Sequence, residues 1–584
     1  MTAAAKSRPT TWDFIKSLRD RRVFVMLLLG AAAGLPFFLI FDTLSAWLRQ
    51  SDLSLQTIGV FALATLSYAL KFVWAPVVDR VRIPLLGRLL GQRRSWMATM
   101  QVLIIVGLWL IAGSDPALNL GQVALLAVLV GFAGSTQDIA IDAWRIEVVD
   151  TPLYGTMAAA YQWGYRIAMI TAGALPLVLA DSYGWNFSYA VMAGCMLVAV
   201  GATILAPREP TQPPRPSVVA DMVARPALEV FEWGGRLALI LIGALIAGSG
   251  LAANATFLNA ALHLFGQSDA AAESFKAVWE SRETGIFIQF PAVVAGLGLI
   301  ALACVPLPGR QTRPGVYLRR AYGQPLGEFF GRFGTKFGLL ILALICMYRL
   351  SDFVLNLMNP FYIDLGFSLT EIAEVRKVYG VVASLAGISA GAWAVTRFGI
   401  LRTMVMGVFA SPLSNLVFIW LATQGASMPA LYGSITIDNF ATGFAGTALI
   451  VYMSSLTAAG FTATQYALFS SLYAIFGKII ASQSGRIVEG SARMAEAGGA
   501  TAAFRPMFDR LPEGALAKGA EIAAVTPASL GAGYTTFFLY SVVIGAVAVV
   551  LAFMIARRQP EIDARARARE AEAEAERAGA ETPA

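Results

Sequence analysis

Long apolar runs, separated by short polar segments, recur along almost the whole chain. A helix needs about 20 apolar residues to cross the hydrocarbon core of a membrane, so runs of this length predict transmembrane helices. The runs are continuous and do not alternate with a period of two, which favours helices over a closed barrel. The pattern predicts fourteen spans, at approximately 23–42, 55–78, 96–113, 121–143, 155–180, 187–206, 236–258, 285–305, 337–357, 372–395, 401–422, 430–456, 464–485 and 534–555.

Composition supports the same interpretation. The chain of 584 residues is 57% hydrophobic and 14% charged, with a mean hydropathy of +0.65. Because soluble domains are about 25% charged, the predicted fold class is an all-α polytopic membrane protein. The net charge is +7, but the Lys and Arg residues gather between the spans, which indicates membrane orientation rather than nucleic-acid binding.

The basic segments fall on one side of the membrane if the number of spans is even. They precede span 1, separate spans 2 and 3, separate spans 6 and 7, fill much of 309–336 and follow span 14. Because cytoplasmic loops are enriched in Lys and Arg, both termini are predicted to be cytoplasmic. The basic loop on the other side, 486–533, is long, and long loops translocate despite their charge.

An internal repeat predicts the domain organisation. The stretch Ala75–Arg80, followed by Arg93 and Arg94, has a counterpart in the second half of the chain at Gly391–Arg402. Two six-helix bundles are therefore expected. The predicted organisation is a cytoplasmic N-terminus (1–22), an N-terminal bundle (23–207), a basic linker with a two-helix transmembrane insert (208–336), a C-terminal bundle (337–557) with a long periplasmic loop (486–533), and a charged cytoplasmic tail (558–584).

The span at 121–143 ends in ionisable residues that lipid tolerates poorly. Asp138, Asp142 and Arg145 are spaced by four and three residues, so they share one helix face. A charged side chain at the centre of a membrane costs roughly 2.5–3.5 kcal/mol and normally faces a partner or a water-filled cavity. This face therefore predicts a solute or ion pathway.

Several classes of function have little support in the sequence. The three cysteines lie alone in apolar runs, so no metal, cofactor or disulfide framework is predicted. The chain has no phosphate-cradling Gly–Lys motif, and its scattered Ser and Cys have no histidine partner in the spans, so no enzyme is predicted. The single histidine, His263, lies in a connecting region, so carboxylates would have to carry any transported protons.

The short basic segment after span 2 resembles the cytoplasmic signature of the major facilitator superfamily. It reads Asp79-Arg80 followed by Gly91-Gln-Arg93-Arg94, and the pair at the end of span 4 resembles the matching gate element. In that superfamily such groups pair across the inner ends of helices and lock one conformation. The resemblance implies a gate formed by Asp79, Arg93, Arg94, Asp142, Arg145 and Arg397.

Four segments together form a recognisable pattern. They are Gly34-Leu-Pro36 to Trp47 with Ile58-Gly59 and Lys71 to Pro76, Ser135 to Trp144, Gly164-Tyr-Arg166, and Asp438-Asn439 to Thr447 with Phe461 to Leu468. In this order they resemble the AmpG family of muropeptide permeases of the bacterial inner membrane. The resemblance implies proton-driven import of N-acetylglucosamine–1,6-anhydro-N-acetylmuramyl peptides from the periplasm for cell-wall recycling, and in some bacteria β-lactamase induction. The insert and the long loop depart from the family pattern.

Residue chemistry and this resemblance predict the site residues. Cations in a low-dielectric cavity attract substrate carboxylates, and carboxylates in apolar surroundings can exchange protons. The predicted substrate-binding residues are Gln137, Arg166, Lys478, Lys71, Trp47, Tyr161 and Trp163. The predicted proton-coupling residues are Asp138, Asp42, Asp352 and Asp438.

Alternatives stay open for these residues and for the chain. Asp138 could instead form a permanent salt bridge with Arg166, Arg349 is expected simply to neutralise Asp352, and span aromatics often serve only packing. The expected partners are a muropeptide, protons and the lipid bilayer, with the protein a monomer. The alternatives are a facilitator for another anionic solute, since eukaryotic acetyl-CoA transporters are distant relatives, and a non-transporting membrane scaffold or sensor.

Overall fold

The computed structural model describes residues 11–51, 66–210, 225–251, 254–263, 266–281, 284–305, 312–481 and 484–580, and their regular structure is helical, without a strand. We number the principal helices in chain order. They are α1 (Arg21–Gln50), α2 (in three pieces, Leu66–Leu70, Lys71–Val73 and Ala75–Arg80), α3 (Gln92–Ala112), α4 (Leu120–Glu147), α5 (Thr151–Tyr183), α6 (Trp185–Leu205), α7 (Pro226–Leu251), α8 (Phe287–Cys304), α9 (Thr335–Leu365), α10 (Thr370–Phe398), α11 (Ile400–Gln424), α12 (Met428–Ser455), α13 (Thr462–Ala481) and α14 (Pro527–Ile562).

Twelve of these helices, within the described ranges, are long and apolar enough to cross a membrane. They occupy the places of twelve predicted spans. The other two predicted spans, 55–78 and 464–485, coincide with α2 and α13, but residues 52–65 and 482–483 lie outside the described part of the chain. The all-α polytopic architecture is therefore confirmed, while the number of fourteen spans stays a prediction.

The chain divides into two compact units. The N-terminal unit comprises Ile15–Leu326 and Thr457–Ile479, and the C-terminal unit comprises Met1–Phe14, Gly327–Leu456 and Ile480–Ala584. Most of α13 thus belongs to the N-terminal unit, although it follows the C-terminal helices in sequence. The division into two six-helix bundles with an insert stays a prediction.

Helices α1 and α5 form a close backbone contact in the N-terminal unit. A Cβ atom on Gly164 would lie 1.9 Å from the carbonyl oxygen of Leu27, and one on Gly30 would lie 2.2 Å from that of Tyr161. Only glycine permits such an approach, as in other small-residue contacts between membrane helices. This packing brings the middle of α5, including Tyr161, toward the interior of the unit.

The C-terminal unit contains the corresponding close contact between α10 and α12. A Cβ atom on Gly387 would lie 2.1 Å from the carbonyl oxygen of Phe440. The predicted long loop at 486–533 is folded, and its helices and turns pack on α14 and on the apolar core around Phe361. Those elements are Ser484–Glu496, Ala500–Phe508 and Ala517–Ala523.

Helices α7 and α8 pack against each other within the predicted insert. The buried Arg236 of α7 forms an ion pair with Glu232 at 2.7 Å, and its Nη1 donates to the carbonyl oxygen of Ala303 at 2.5 Å. The carbonyl oxygens of the last helical turn receive no hydrogen bond from their own helix, so this arginine provides the donor that the end of α8 lacks. The insert is therefore a joined helical hairpin.

Candidate functional site

Helix α4 carries ionisable side chains through the interior of the N-terminal unit. Every residue at 133–146 is buried. Asp138, Asp142 and Arg145 share a face, and the guanidinium of Arg145 donates to Oδ1 of Asp142 at 3.3 Å. The helical spacing in the sequence therefore predicted this local pair.

Lys71 supplies a cation to both carboxylates of α4. Its Nζ donates to Oδ2 of Asp138 at 2.5 Å and lies 3.6 Å from Oδ2 of Asp142. Lys71 belongs to the short 3-10 turn that separates the two α-helical pieces of α2, which places its side chain opposite α4. Within the described residues Asp138 therefore pairs with Lys71, and not with Arg166 as the structural alternative assumed.

Two tyrosines complete the surroundings of these charges. The Tyr161 hydroxyl of α5 donates to Oδ1 of Asp138 at 2.7 Å. The Arg145 guanidinium lies over the rings of Tyr161 and of Tyr466 on α13, at 5.9 and 5.2 Å from the ring centres. Ring faces carry negative potential, so they stabilise a guanidinium that has little contact with water.

The charges of this cluster balance. We name Lys71, Asp138, Asp142 and Arg145 the N-terminal charge cluster, since it holds two cations and two carboxylates. Buried ions are tolerated when each has a partner, and removing one partner of a buried pair costs about 3–5 kcal/mol. The cluster can therefore exchange partners at low cost only if a proton or another charged group replaces the partner that leaves.

A second ion network lies at the ends of α2, α3 and α4. Arg93 donates to Oδ1 of Asp79 at 2.7 Å and to Oε1 of Glu147 at 2.6 Å, and its side chain is almost completely buried. The predicted contact between Asp79 and Arg93 is therefore present. Whether it opens and closes as a gate stays a prediction.

The Asp79 carboxylate also accepts hydrogen bonds from the first turn of α13. Its Oδ2 accepts the Thr464 backbone N–H at 2.8 Å and the Thr464 hydroxyl at 2.5 Å, and its Oδ1 accepts the Ala463 N–H at 3.3 Å. The first N–H groups of a helix lack intrahelical acceptors, and a carboxylate is stabilised there by the helix dipole. Asp79 thus joins α2, α3 and α13 within one unit.

Two predicted gate arginines make different contacts. Arg94 donates to the carbonyl oxygens of Leu90 and Ala206, each at 2.7 Å, rather than to a carboxylate. Arg397 is exposed beside the ring of Phe398 and forms no ion pair with a described residue. Among the described residues, the second copy of the repeat therefore makes no ion network like that of the first copy.

The predicted substrate-binding residues are not gathered in one place. Gln137 is fully buried and donates to the Ala32 carbonyl at 2.8 Å, while Trp47 is buried and stacked on Trp185 with ring centres 5.8 Å apart. Trp163 is 37% exposed at the surface of the unit. Arg166 is half-buried, and its Nη1 lies 3.9 Å from the sulfur of Met169. The side chain of Lys478 lies outside the described residues, although its backbone is part of α13.

The C-terminal unit holds a second set of charges inside its helices. Arg349 pairs with Oδ2 of Asp352 at 2.9 Å, as expected from their spacing, and Oδ1 of Asp352 accepts the Ser411 hydroxyl. Asp438 of α12 makes no hydrogen bond or ion pair with a described residue, but it interacts electrostatically with Asp352, Arg349 and Arg376. We name Arg349, Asp352, Arg376 and Asp438 the C-terminal charge cluster.

The remaining predicted proton carrier, Asp42, lies apart from both clusters. It is exposed on the π-helical turn Leu39–Thr43 of α1. The neighbouring Thr43 donates to the carbonyl oxygen of Ala172 on α5 at 2.6 Å, which anchors this turn.

Sequence reasoning missed several residues of the two N-terminal networks. Glu147, Thr464 and Tyr466 are partners of the predicted arginines and of Asp79. Glu147 had a usable signal, because it lies on the same helix as Arg145, beyond the end of the apolar run. Tyr466 had none, since its contact depends on how α13 packs in the N-terminal unit.

Two cavities in the described residues lie away from the charge clusters. A polar cavity of about 50 Å³ lies beside Arg93, Glu147 and Glu209. A wide apolar groove of about 540 Å³ lies between α11 and α12, lined by residues such as Leu413 and Phe440. Neither of these two cavities is lined by Lys71 or by the aspartates of either charge cluster.

A family model described as acetyl-coenzyme A transporter 1 matches residues 22–182. The match covers α1 to α5, and therefore includes the N-terminal charge cluster. It extends over less than a third of the chain, so it indicates similarity in this region.

Curated relatives match most of the chain. A transporter named AmpG 4 from Rickettsia felis is 29% identical over 476 residues, which cover 81% of this chain and 91% of the relative. The anhydromuropeptide permease of Escherichia coli K12 is 26% identical over 480 residues, which cover 82% of this chain and 76% of the relative. The resemblance to the AmpG family is therefore confirmed, as is the expectation of a transporter rather than an enzyme.

Among solved structures, the major facilitator superfamily proton:xylose symporter XylE bound to 6-bromo-6-deoxy-D-glucose is similar to this chain. The TM-score is 0.52 at 12% identity, over 92% of this chain and 96% of that chain. At this identity the similarity concerns the fold alone. The chain is thus a multi-pass inner-membrane transporter with the major facilitator fold, similar to the AmpG permeases along about four fifths of its length.

Proposed function

We propose that this transporter imports anhydromuropeptides from the periplasm to the cytoplasm by proton-coupled alternating access. The observation that carries the proposal is the buried, charge-balanced N-terminal charge cluster, in which one lysine is shared by two carboxylates. The similarity to an anhydromuropeptide permease over 82% of the chain supports the choice of substrate.

Charge balance provides the coupling between proton and substrate. When Asp138 takes up a proton, the Lys71 ammonium loses the carboxylate that lies 2.5 Å away. A carboxylate from the peptide part of a muropeptide can then replace Asp138 as its partner. Because a lone charge in this setting is costly, proton and substrate bind together more favourably than either binds alone.

The remaining predicted residues take roles in this proposal. Tyr161 orients Asp138, while Gln137, Arg166, Lys478, Trp47 and Trp163 contact substrate in other conformations of the transport cycle. Asp42, Asp352 and Asp438 are additional proton carriers. The network of Asp79 and Arg93 closes the cytoplasmic side, and both termini lie in the cytoplasm of a monomeric protein.

A second candidate is transport of another anionic solute. The match of residues 22–182 to an acetyl-coenzyme A transporter model favours this alternative, because the matched region includes Lys71 and Asp138. Acetyl-coenzyme A carries phosphates rather than peptide carboxylates, so the two candidates differ in the anion that would meet Lys71.

Uptake by the purified protein in proteoliposomes tests the proposal. With the outside made more acidic than the inside, labelled anhydromuropeptide is expected to accumulate in the proteoliposomes. The accumulated label should leak out again when a protonophore collapses the gradient. Unlabelled anhydromuropeptide should compete, while acetyl-coenzyme A, simple sugars and unmodified peptides should not.

The double variant Lys71→Met, Asp138→Asn, which keeps the N-terminal charge cluster balanced, is the matched control for this measurement. Competition by acetyl-coenzyme A but not by muropeptide would favour the second candidate. Absence of accumulation for every anionic solute tried would instead favour a membrane scaffold or sensor.

A further inference from the structure

The break in α2 leaves a backbone carbonyl outside the helical hydrogen-bond ladder. Pro76 has no N–H, and the Val77 N–H donates to the Trp74 carbonyl at 2.9 Å rather than continuing the α-helical pattern to Val73. A carbonyl without a donor in apolar surroundings is unfavourable by several kcal/mol. The Val73 carbonyl therefore needs a donor from another element.

The insert provides that donor. The Tyr322 hydroxyl donates to the Val73 carbonyl oxygen, from the π-helical turn Arg319–Gly323 that follows the helical hairpin. Burial raises the pKa of Tyr322 well above its usual value, so the hydroxyl stays protonated at neutral pH and remains a donor. The carbonyl that it satisfies lies two residues after Lys71.

A second polar contact holds the end of α2 to the same turn. Arg80 donates to the carbonyl oxygen of Arg320 at 2.5 Å and to Oε1 of Gln324 at 3.1 Å. Its guanidinium also lies 6.0 Å from the ring centre of Tyr317. The segment 317–324 thus contacts α2 on both sides of Trp74.

The helices of the insert cover the other side of the break. Leu70 and Val73 of α2 form a buried apolar cluster with Ile300 of α8, and Ile240 and Leu297 pack against it. Leu70 directly precedes Lys71, and Val73 follows it by two residues. The insert therefore touches α2 on both sides of the lysine of the N-terminal charge cluster.

We propose that the insert is a brace that holds the broken segment of α2, with Tyr322 as the positioning residue that aims Lys71 at the carboxylates of α4. The positioning role in transport rests on the function proposed above. It assigns the insert a place in substrate recognition, since Lys71 is the group that would meet the substrate carboxylate.

Hydrogen–deuterium exchange of the full-length protein in nanodiscs tests the brace without any substrate. Tyr322→Phe removes only the hydroxyl, and should speed amide exchange in the peptide covering 66–80 about fivefold, as expected for one lost hydrogen bond. Ile300→Ala, which removes apolar contacts with Leu70 and Val73, should also speed exchange in the same peptide. Tyr317→Phe is the matched control and should leave exchange unchanged, because the contact of Tyr317 with Arg80 uses its ring.

Transport kinetics test the link to Lys71. In Tyr322→Phe proteoliposomes, KM for anhydromuropeptide should rise about fivefold, whereas KM for an analogue with its carboxylates converted to amides should not change. Unchanged amide exchange at 66–80 in Tyr322→Phe would contradict the proposal that the insert holds α2. An equal rise in KM for both substrates would contradict the positioning role of Tyr322. Failure of the wild type to accumulate muropeptide would count against the proposed function instead, and exchange would still decide the brace.

Discussion

The two charge clusters hold the same number of cations and carboxylates, but they are built differently. In the N-terminal cluster, Lys71 of α2 pairs with Asp138 and Asp142 of α4, so the ion pairs join separate helices. In the C-terminal cluster, Arg349 and Asp352 are neighbours on one helix, and their side chains are 26% and 12% exposed. In the first arrangement the ion pairs themselves join separate helices, whereas in the second the ion pair lies within one helix and a neutral hydrogen-bond donor, Ser411, joins Asp352 to α11.

This difference predicts different consequences of mutation. A long-range buried pair contributes to the packing of the helices that carry it, so its loss should affect both folding and transport. A local, partly exposed pair contributes little to stability, because solvent screens it. Asp438, which has no hydrogen-bonding partner in the described residues, can change protonation without breaking a helix contact.

The largest effect is expected from Lys71→Met. Two carboxylates would lose their shared cation, so the free energy of unfolding should fall by about 3–5 kcal/mol and uptake should fall to background. Thermal unfolding in detergent and proteoliposome uptake measure the two effects. The double variant Lys71→Met, Asp138→Asn restores charge balance and should regain most of the stability but no uptake. A single variant as stable as the wild type would contradict the assigned pairing.

Asp138→Asn should separate proton coupling from substrate exchange. The amide cannot release a proton, so accumulation driven by a pH gradient should disappear, while exchange of labelled for unlabelled substrate should persist. Asp438→Asn is the comparison in the C-terminal cluster and should only reduce the accumulation ratio. Full accumulation in Asp138→Asn would remove this residue from the proton route.

Asp79→Asn should weaken the hydrogen bonds that hold the first turn of α13. The carboxylate accepts charge-assisted hydrogen bonds worth about 1.5–3 kcal/mol, so amide exchange at Ala463 and Thr464 should speed by about 10–100-fold. Arg397→Gln is the comparison in the second copy of the repeat. Amide exchange around residue 397 should be unchanged, because the Arg397 side chain is exposed. Equal effects of both substitutions would show that the two copies are not as different as their contacts indicate.

The smallest effect is expected from Arg349→Gln. The pair with Asp352 is local and partly exposed, so the free energy of unfolding should change by less than about 1 kcal/mol. Thermal unfolding measures this change beside that of Lys71→Met. A loss as large as that of the lysine variant would mean that the C-terminal cluster is also essential for packing.

Local sequence spacing predicted the contacts that lie on single helices. Asp142 and Arg145, and likewise Arg349 and Asp352, are three residues apart, and helical geometry places such side chains together. The resemblance to the superfamily signature implied the contact of Asp79 with Arg93, which spans one short connection. These contacts depend mainly on helix periodicity and short chain connections.

Spacing could not predict which distant groups meet. Asp138 had Arg166 as a plausible partner in the sequence, yet its partner is Lys71, because the 3-10 turn of α2 directs that side chain toward α4. The contacts of Arg94 likewise could not be predicted, since its guanidinium donates to the carbonyl of Ala206. Both outcomes depend on the packing of elements that are remote in the chain.

The sequence by itself determined that this protein is a bundle of membrane helices, where its basic loops lie, and which charges share a helix face, since hydrophobic length, charge placement and periodicity are properties of the chain alone. The tertiary structure decided which cation neutralises which carboxylate, that α13 packs in the N-terminal unit, and that the insert supports the break in α2. Lipid requires every buried charge and carbonyl to find a partner, but helix packing determines which partner is within reach.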